Sequence, residues 1–186
     1  MKNRKNRKEK MYFFTADEHY SHSKILEYCN RPFRSIIEMD KEIIRKHNEV
    51  VKDNDIVIHG GDFTLKSSYI KAMEYRNQLR GDHVFIRGSH DKWLDNTKCH
   101  DIWQKKIEDQ YIVVCHYAMR VWPRSHYNSW QLYGHSHGTL APEGKQWDIG
   151  VDNNNFYPIS FEQIKEIMKD RPNNFNLVKL KGKIIG

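Results

Sequence analysis

The chain has 186 residues, enough for one domain with a real core and too few to favour two, and its 38% hydrophobic and 30% charged residues are those of a soluble globular protein. No run of about 18 apolar residues is present to span a bilayer, and Met11 to Phe14, the short apolar run behind the basic start, is too brief for a secretory signal. Of the net charge of +7, Lys2, Arg4, Lys5, Arg7, Lys8 and Lys10 against Glu9 give +5 and leave +2 for the rest, so a basic disordered tail over 1–10, weakly attractive to polyanions, is expected ahead of a single domain over 11–186.

Tyr12 to Thr15 reads as a first strand running straight into Asp17 and His19. Ser35 and Glu38 have capping-box spacing, and Ile36, Met39, Ile43, Ile44, His47, Val50 and Val51 recur at helical intervals, so a long amphipathic helix is expected over 36 to 52. Asp55 to His59 is a short apolar strand ending in Gly60-Gly61-Asp62, and a second helix is expected from about 67 to 79. His83 to Arg87 reads as a third strand ending in Gly88-Ser89-His90-Asp91, and Tyr111 to Cys115 as a fourth ending in His116. Trp130 to Tyr133 is a fifth, ending in Gly134-His135-Ser136-His137, and Trp147 to Val151 is a candidate sixth. Ser160 and Gln163 repeat the capping-box spacing and open a last helix to about Lys169, which Pro172 stops. Asn176 to Leu180 and Lys183 to Ile185 flank Lys181-Gly182 as a candidate terminal hairpin.

Polar residues placed just past apolar strands collect along one edge of a parallel sheet. Asp17 and His19, two residues apart where the backbone bends after a strand, can converge on one ion. Asp62 follows two glycines, which remove the steric wall and allow close backbone approach, so its carboxylate can bridge two ions. His116, His135 and His137 add nitrogen donors, and a mixed nitrogen and oxygen set suits Mn, Fe, Zn or Ni better than Ca or Mg. Cys29, Cys99 and Cys115 are widely separated with no C-x-x-C pair, which indicates neither a disulfide framework nor a thiolate zinc site, and makes a reducing cytoplasm the expected compartment. Cys115, inside an apolar run, reads as a core thiol rather than a rival nucleophile.

The ordered set Asp17-Glu18-His19, Gly61-Asp62, Gly88-Ser89-His90-Asp91, His116 and Gly134-His135-Ser136-His137 resembles the calcineurin-like metallophosphoesterase superfamily, from Tyr12 to about Ile167. More narrowly, Cys29-Asn30-Arg31-Pro32-Phe33, His116-Tyr117 through Pro123-Arg124-Ser125-His126, and Asp148-Ile149-Gly150-Val151-Asp152 are similar to a subgroup of small phage and bacterial phosphoesterases. The resemblance implies an α/β fold, a four-layer αββα sandwich with two divalent ions at the carboxyl edge of the strands. It implies Asp17, His19, Asp62 and His137 around the first ion and Asp62, Ser89, His116 and His135 around the second. It implies His90 as the catalytic residue, protonating the leaving oxygen or steadying the transition state. The family pattern has asparagine where Ser89 stands; a serine hydroxyl reaches less far and is a poorer neutral donor than an amide oxygen, so a weaker second site is expected.

The implied activity is hydrolysis of phosphomonoesters or phosphodiesters by a metal-activated hydroxide, between ions about 3.5 to 4 Å apart. The chain has no room for a large cap domain, so an open cleft is expected, with a tilt toward diesters in nucleotides or nucleic acid. Arg31 and Arg34 after the first motif, and Arg120 and Arg124 among Tyr117, Trp122, Tyr127, Trp130 and Tyr133, are the expected substrate-binding residues. Guanidinium forks suit phosphate, and the aromatic faces either suit bases or pack the strand and loop around the site. A different class stands as the alternative: a metallophosphoesterase fold kept as a protein or nucleic-acid binding module with a weakened second metal site. No membrane partner is expected.

Overall fold

The computed structural model describes residues 10–66, 68–94, 99–180 and 183–184; the basic segment 1–9 lies outside the described residues, as do the side chains of 179–184. Strands β1 (Tyr12–Thr15), β2 (Ile56–His59) and β3 (Asp82–Phe85) run parallel, and β8 (Ile159–Ser160) closes the sheet antiparallel to β1, in the order β3-β2-β1-β8. A second sheet has the order β4-β5-β6-β7, from β4 (Ile102–Ile107), β5 (Gln110–Cys115), β6 (Trp130–Tyr133) and β7 (Gln146–Asp148). Here β5, β6 and β7 are parallel and β4 is antiparallel to β5.

Strand alternation sends neighbouring residues to opposite faces. Phe14 and Ile58 pair in register and turn toward the second sheet, where Ile112, Val114, Leu132 and Ile149 meet them in one buried cluster. Phe13 and Val57, one residue earlier, face the other way and pack with Val51. Burial on both faces is why these strands read as unbroken apolar runs.

Helix α2 (Ile36–Val50) starts at Ser35, whose hydroxyl accepts from Glu38 N, while the Glu38 carboxylate reaches back to Arg34 N. It buries Met39, Ile43 and His47, and Met39 and Ile43 share a cluster with Ala72 of α3 (Tyr69–Arg76), Tyr20, Phe63 and Trp93. Helix α3 is shorter than the sequence pattern suggests. Helix α4 (Phe161–Asp170) carries both arms of its capping box, and Arg171 is extended ahead of Pro172, as a residue before proline prefers. A single turn, α1 (Ile25–Tyr28), follows β1. On the far face of the second sheet Gln131 alternates with core Leu132 and is sealed by segment 117–129. Its Oε1 accepts from Met119 N at 3.0 Å and its Nε2 donates to Tyr117 O at 2.8 Å.

Two face-to-face sheets with flanking helices are the α/β sandwich expected. Strand β4 is a strand the sequence reading lacked: it is an edge strand carrying Gln104, Lys105 and Lys106, joined to β5 through Glu108-Asp109 with Glu108 at φ +49°. Lysines on an edge discourage further pairing and hide the apolar signal. The terminal hairpin forms between β9 (Lys179–Leu180) and β10 (Lys183–Ile184). Among the described residues no helix is long and apolar enough to cross a membrane.

Candidate metal centre

The site is built where parallel strands of both sheets end. Asp17 and His19 follow β1, Asp62 follows β2, His116 follows β5, and His135 and His137 follow β6. The sheets meet at this edge, through a bridge between Ala16 and Gly150. Asp17, His19, Asp62, His135 and His137 all adopt left-handed backbone, with φ of +59°, +54°, +57°, +68° and +48°. Each such residue without glycine's freedom costs about 1–2 kcal/mol, and a group of them in one place marks a functional constraint. Neighbouring loops hold them: Asp17 N donates to Gly61 O and His19 N to Asp62 O, both at 3.0 Å. Close approach also needs Gly134, where an added Cβ would stand 2.6 Å from Asp17 Oδ2.

Among the described residues four sets have ligand atoms within 4.8 Å of one another; two match the ligands expected from the sequence, Asp17 with His19 and His137, and Asp62 with His116 and His135, and the others are His19 with Asp62 and His90, and Cys29 with His137 and Asp152. Asp62 belongs to both sides. Its Oδ2 is 3.7 Å from His19 Nε2 and 3.4 Å from His116 Nε2. Those two Nε2 atoms are buried and have no hydrogen-bond partner among the described residues. His116 Nδ1 is 2.9 Å from Gly60 O, and a carbonyl only accepts, so Nδ1 carries the proton and Nε2 keeps a bare lone pair. A buried lone pair without a donor is costly, and a divalent cation between these nitrogens and the Asp62 carboxylate satisfies both.

The electrostatics agree. Burial pushes the Asp17 carboxyl well above the usual range, against the His135 N–H donor, and the nearby charges of Asp148, Asp62 and Glu18 push the same way. Asp62 is also buried, yet the His90 N–H that donates to its Oδ1 helps hold its carboxyl below the usual range. His19 is brought down to about 3, chiefly by burial, and burial lowers His135 too. Neutral imidazoles beside crowded carboxylates lack only a cation, so the residues fit a divalent ion.

His90 stands at the same edge: its N donates to Asp62 Oδ1 at 2.8 Å, and its ring is 5.2 Å from that of His19. Ser89 Oγ donates to Asp62 Oδ2 at 3.0 Å, which leaves only its lone pairs to face an ion. Asp91 ties the two loops together, accepting from Asp62 N, Phe63 N, Gly88 N and Trp93 Nε1. A cleft of 760 Å³ opens over these groups, walled by His22, Ile25 and Tyr28 on one side and Ser136 and Thr139 on the other.

Residues 12–182 match the calcineurin-like phosphoesterase family. The chain belongs to that family. An uncharacterized protein of Methanocaldococcus jannaschii is 31% identical over 165 residues, which cover 84% of this chain and 90% of that protein. A protein of unknown function from Aquifex aeolicus has a similar fold, with TM-score 0.64 and 21% identity over 86% of this chain and 100% of that one. The phosphoesterase Yfce of E. coli aligns with TM-score 0.43 and 18% identity over 75% of this chain and 78% of that one.

In this phosphoesterase the four arginines expected to bind substrate are elsewhere, since none lines the cleft. Arg31 is buried, with its guanidinium on Asp152 and on the backbone carbonyls of Asp17 and Glu18. Arg34 is exposed beside the start of α2. Arg120 is 3.6 Å from Glu143 and lies over the Phe175 ring, and Arg124 lies 4.6 Å over the Tyr111 ring. Trp122 and Tyr133 are buried packing groups, whereas Tyr117 is exposed with its ring 4.8 Å from those of His116 and His135. Sequence reasoning passed over His22, whose Nδ1 is 3.4 Å from His19 Nδ1 and whose ring is 5.7 Å from that of His90. A second histidine three residues past His19 was its only signal. Asp91 and Asp152 stood inside quoted motifs without a role.

Proposed function

We propose that this chain is a dinuclear metal-dependent phosphohydrolase whose substrates are phosphodiesters of nucleotides or nucleic acid. One observation carries the reading: the Asp62 carboxylate sits between two buried imidazole nitrogens, His19 Nε2 and His116 Nε2, that have no hydrogen-bond partner among the described residues. Asp17, His19, Asp62 and His137 would hold one ion, and Asp62, His116 and His135, with Ser89 beside them, the other. Divalent ions such as Mn, Fe, Ni or Zn supply Lewis acidity to a phosphoryl oxygen and lower the pKa of water.

The chain's own groups do the rest. His90, with a side chain 41% exposed and its backbone fixed on Asp62, is placed to hand a proton to the leaving oxygen. Among the described residues the cleft lining holds no Lys or Arg, so no ammonium or guanidinium there meets the second negative charge of a monoester. A diester carries one charge fewer and suits the cleft better.

The test is turnover of bis-p-nitrophenyl phosphate against p-nitrophenyl phosphate, after chelation and return of Mn, Ni, Zn or Fe. We expect the diester to be the faster substrate. His90→Ala is expected to lose about 10²-fold to 10⁴-fold in turnover with metal content intact, and Asp62→Ala to lose metal as well. Equal metal content in wild type and Asp62→Ala by elemental analysis refutes the shared carboxylate. Two bound ions without turnover of either ester favour the binding-module reading.

A further inference from the structure

His137 has two ring nitrogens, and only one can face an ion. Its Nδ1 lies 2.7 Å from Asp152 Oδ2. A carboxylate accepts, so Nδ1 holds the proton and Nε2 is the free donor. Asp152 is in turn fixed by a two-point contact from Arg31, Nε to Oδ1 at 2.8 Å and Nη2 to Oδ2 at 2.7 Å. The same guanidinium donates from Nη2 to Asp17 O at 2.6 Å and from Nη1 to Glu18 O at 2.9 Å.

One planar group therefore touches the carbonyls of the loop that carries Asp17 and His19 and, through Asp152, the ring of His137. These loops come from different sheets, and Arg31 and Asp152 are 121 positions apart. Asp17, His19 and His137 all have left-handed backbone, which neither loop favours by itself. Arg31 is 5% exposed and its guanidinium is taken up by these contacts, so it is not open to a substrate.

We propose that Arg31 and Asp152 are positioning residues for the first ion, locking the His137 tautomer and fixing the spacing between the Asp17 and His137 loops. This rests on the reading of Asp17, His19, Asp62 and His137 as ligands of one ion. Neither Arg31 nor Asp152 has a hydrogen bond to Asp62, His116 or His135, so the larger effect falls on the first ion. Ligand-orienting partners of this kind change metal affinity by about 10-fold to 100-fold when removed.

The experiment uses the full chain labelled with ¹⁵N at histidine, metal-free and with Zn²⁺, at about pH 8 where imidazoles are neutral. Long-range ¹H–¹⁵N spectra assign the protonated nitrogen, and competition with a chelator gives the two Zn²⁺ affinities. In the wild type His137 is expected to be protonated on Nδ1 in both forms. Asp152→Ala is expected to release the ring to the other tautomer and weaken one Zn²⁺ by about 10-fold to 100-fold while the other holds. Asp152→Asn, whose carbonyl still accepts from Nδ1, should keep the tautomer and lose less affinity. Arg31→Lys, with charge but no fork, should weaken the same ion and keep the tautomer.

A purely structural role lowers both affinities alike with the tautomer unchanged, and overturns the proposal. So does a wild-type His137 protonated on Nε2, a result that needs no variant to fold. Failure of the wild type to bind Zn²⁺ overturns the metal centre itself and this inference with it. Two tight ions in the wild type that Asp152→Ala leaves undisturbed overturn only the positioning pair.

Discussion

Replacing Asp91 with asparagine removes one acceptor atom and changes nothing else in shape. The carboxylate is 3% exposed. Its Oδ2 accepts from Asp62 N at 2.7 Å and Gly88 N at 2.9 Å, and its Oδ1 accepts from Phe63 N at 3.0 Å and Trp93 Nε1 at 2.9 Å. An amide presents one oxygen, so whichever way it turns, two buried N–H donors face an NH₂ group. Hydrogen bonds to a charged acceptor contribute about 1.5–3 kcal/mol each, so two cost about 3–6 kcal/mol. Burial returns part of this, since it pushes the Asp91 carboxyl up and a neutral amide is cheaper to bury. The net expectation is a loss of about 2–4 kcal/mol, a large share of the stability of a domain this size. Urea unfolding of wild type and variant, with chelator present, measures it. A loss below about 0.5 kcal/mol, the range of an ordinary surface change, refutes the reasoning that Asp91 staples the Asp62 loop to the His90 loop.

Ser89→Asn is expected to tighten the weaker ion and raise turnover at limiting Mn, because an amide oxygen reaches where the hydroxyl, spent on Asp62, does not; unchanged stoichiometry and rate at low Mn reject an impaired second site. His47 is buried and brought down to about 4 from 6.5, chiefly by that burial. The unfolded chain therefore takes up a proton there that the folded chain refuses, and stability is lost as pH falls from about 6.5 toward 4, by up to about 1.4 kcal/mol per pH unit. His47→Gln, which can still donate to Arg80 O, should show a slope shallower by that amount, and identical slopes count against a buried neutral His47. Arg120→Ala and Arg124→Ala should leave KM for the diester unchanged within about twofold, since such outlying surface contacts are worth little; a rise of about tenfold, or about 1.4 kcal/mol, in either returns that arginine to the substrate site.

The strands that lead into the two donor groups were legible because each is a short apolar run that stops at a polar residue in a glycine-rich or histidine-rich turn, as Ile56 to His59 stops before Gly60-Gly61-Asp62. Burial on both faces makes such runs conspicuous. Strand β4 was not legible, since an edge strand with exposed Gln104, Lys105 and Lys106 has neither a continuous nor an alternating apolar pattern. The arginines were misplaced for a different reason. A guanidinium fork fits a carboxylate as well as a phosphate, and only the fold decides which it meets; Arg31 meets Asp152 from 121 positions away. Asp91 went unread because its work is to accept backbone N–H groups, which no spacing of side chains announces.

Neither donor group belongs to a single sheet. Asp17 and His19 leave β1 in one, His137 leaves β6 in the other, and Asp62 and His116 are divided in the same way. An ion held there is a rivet through the seam between the two halves of the sandwich. Parting the sheets would break up both donor groups and release the ion, so an ion bound there would favour the closed sandwich. At free metal 100 times the dissociation constant such a rivet adds about 2.7 kcal/mol to stability. With such a centre, metal supply would bear on how long the folded chain persists as well as on turnover.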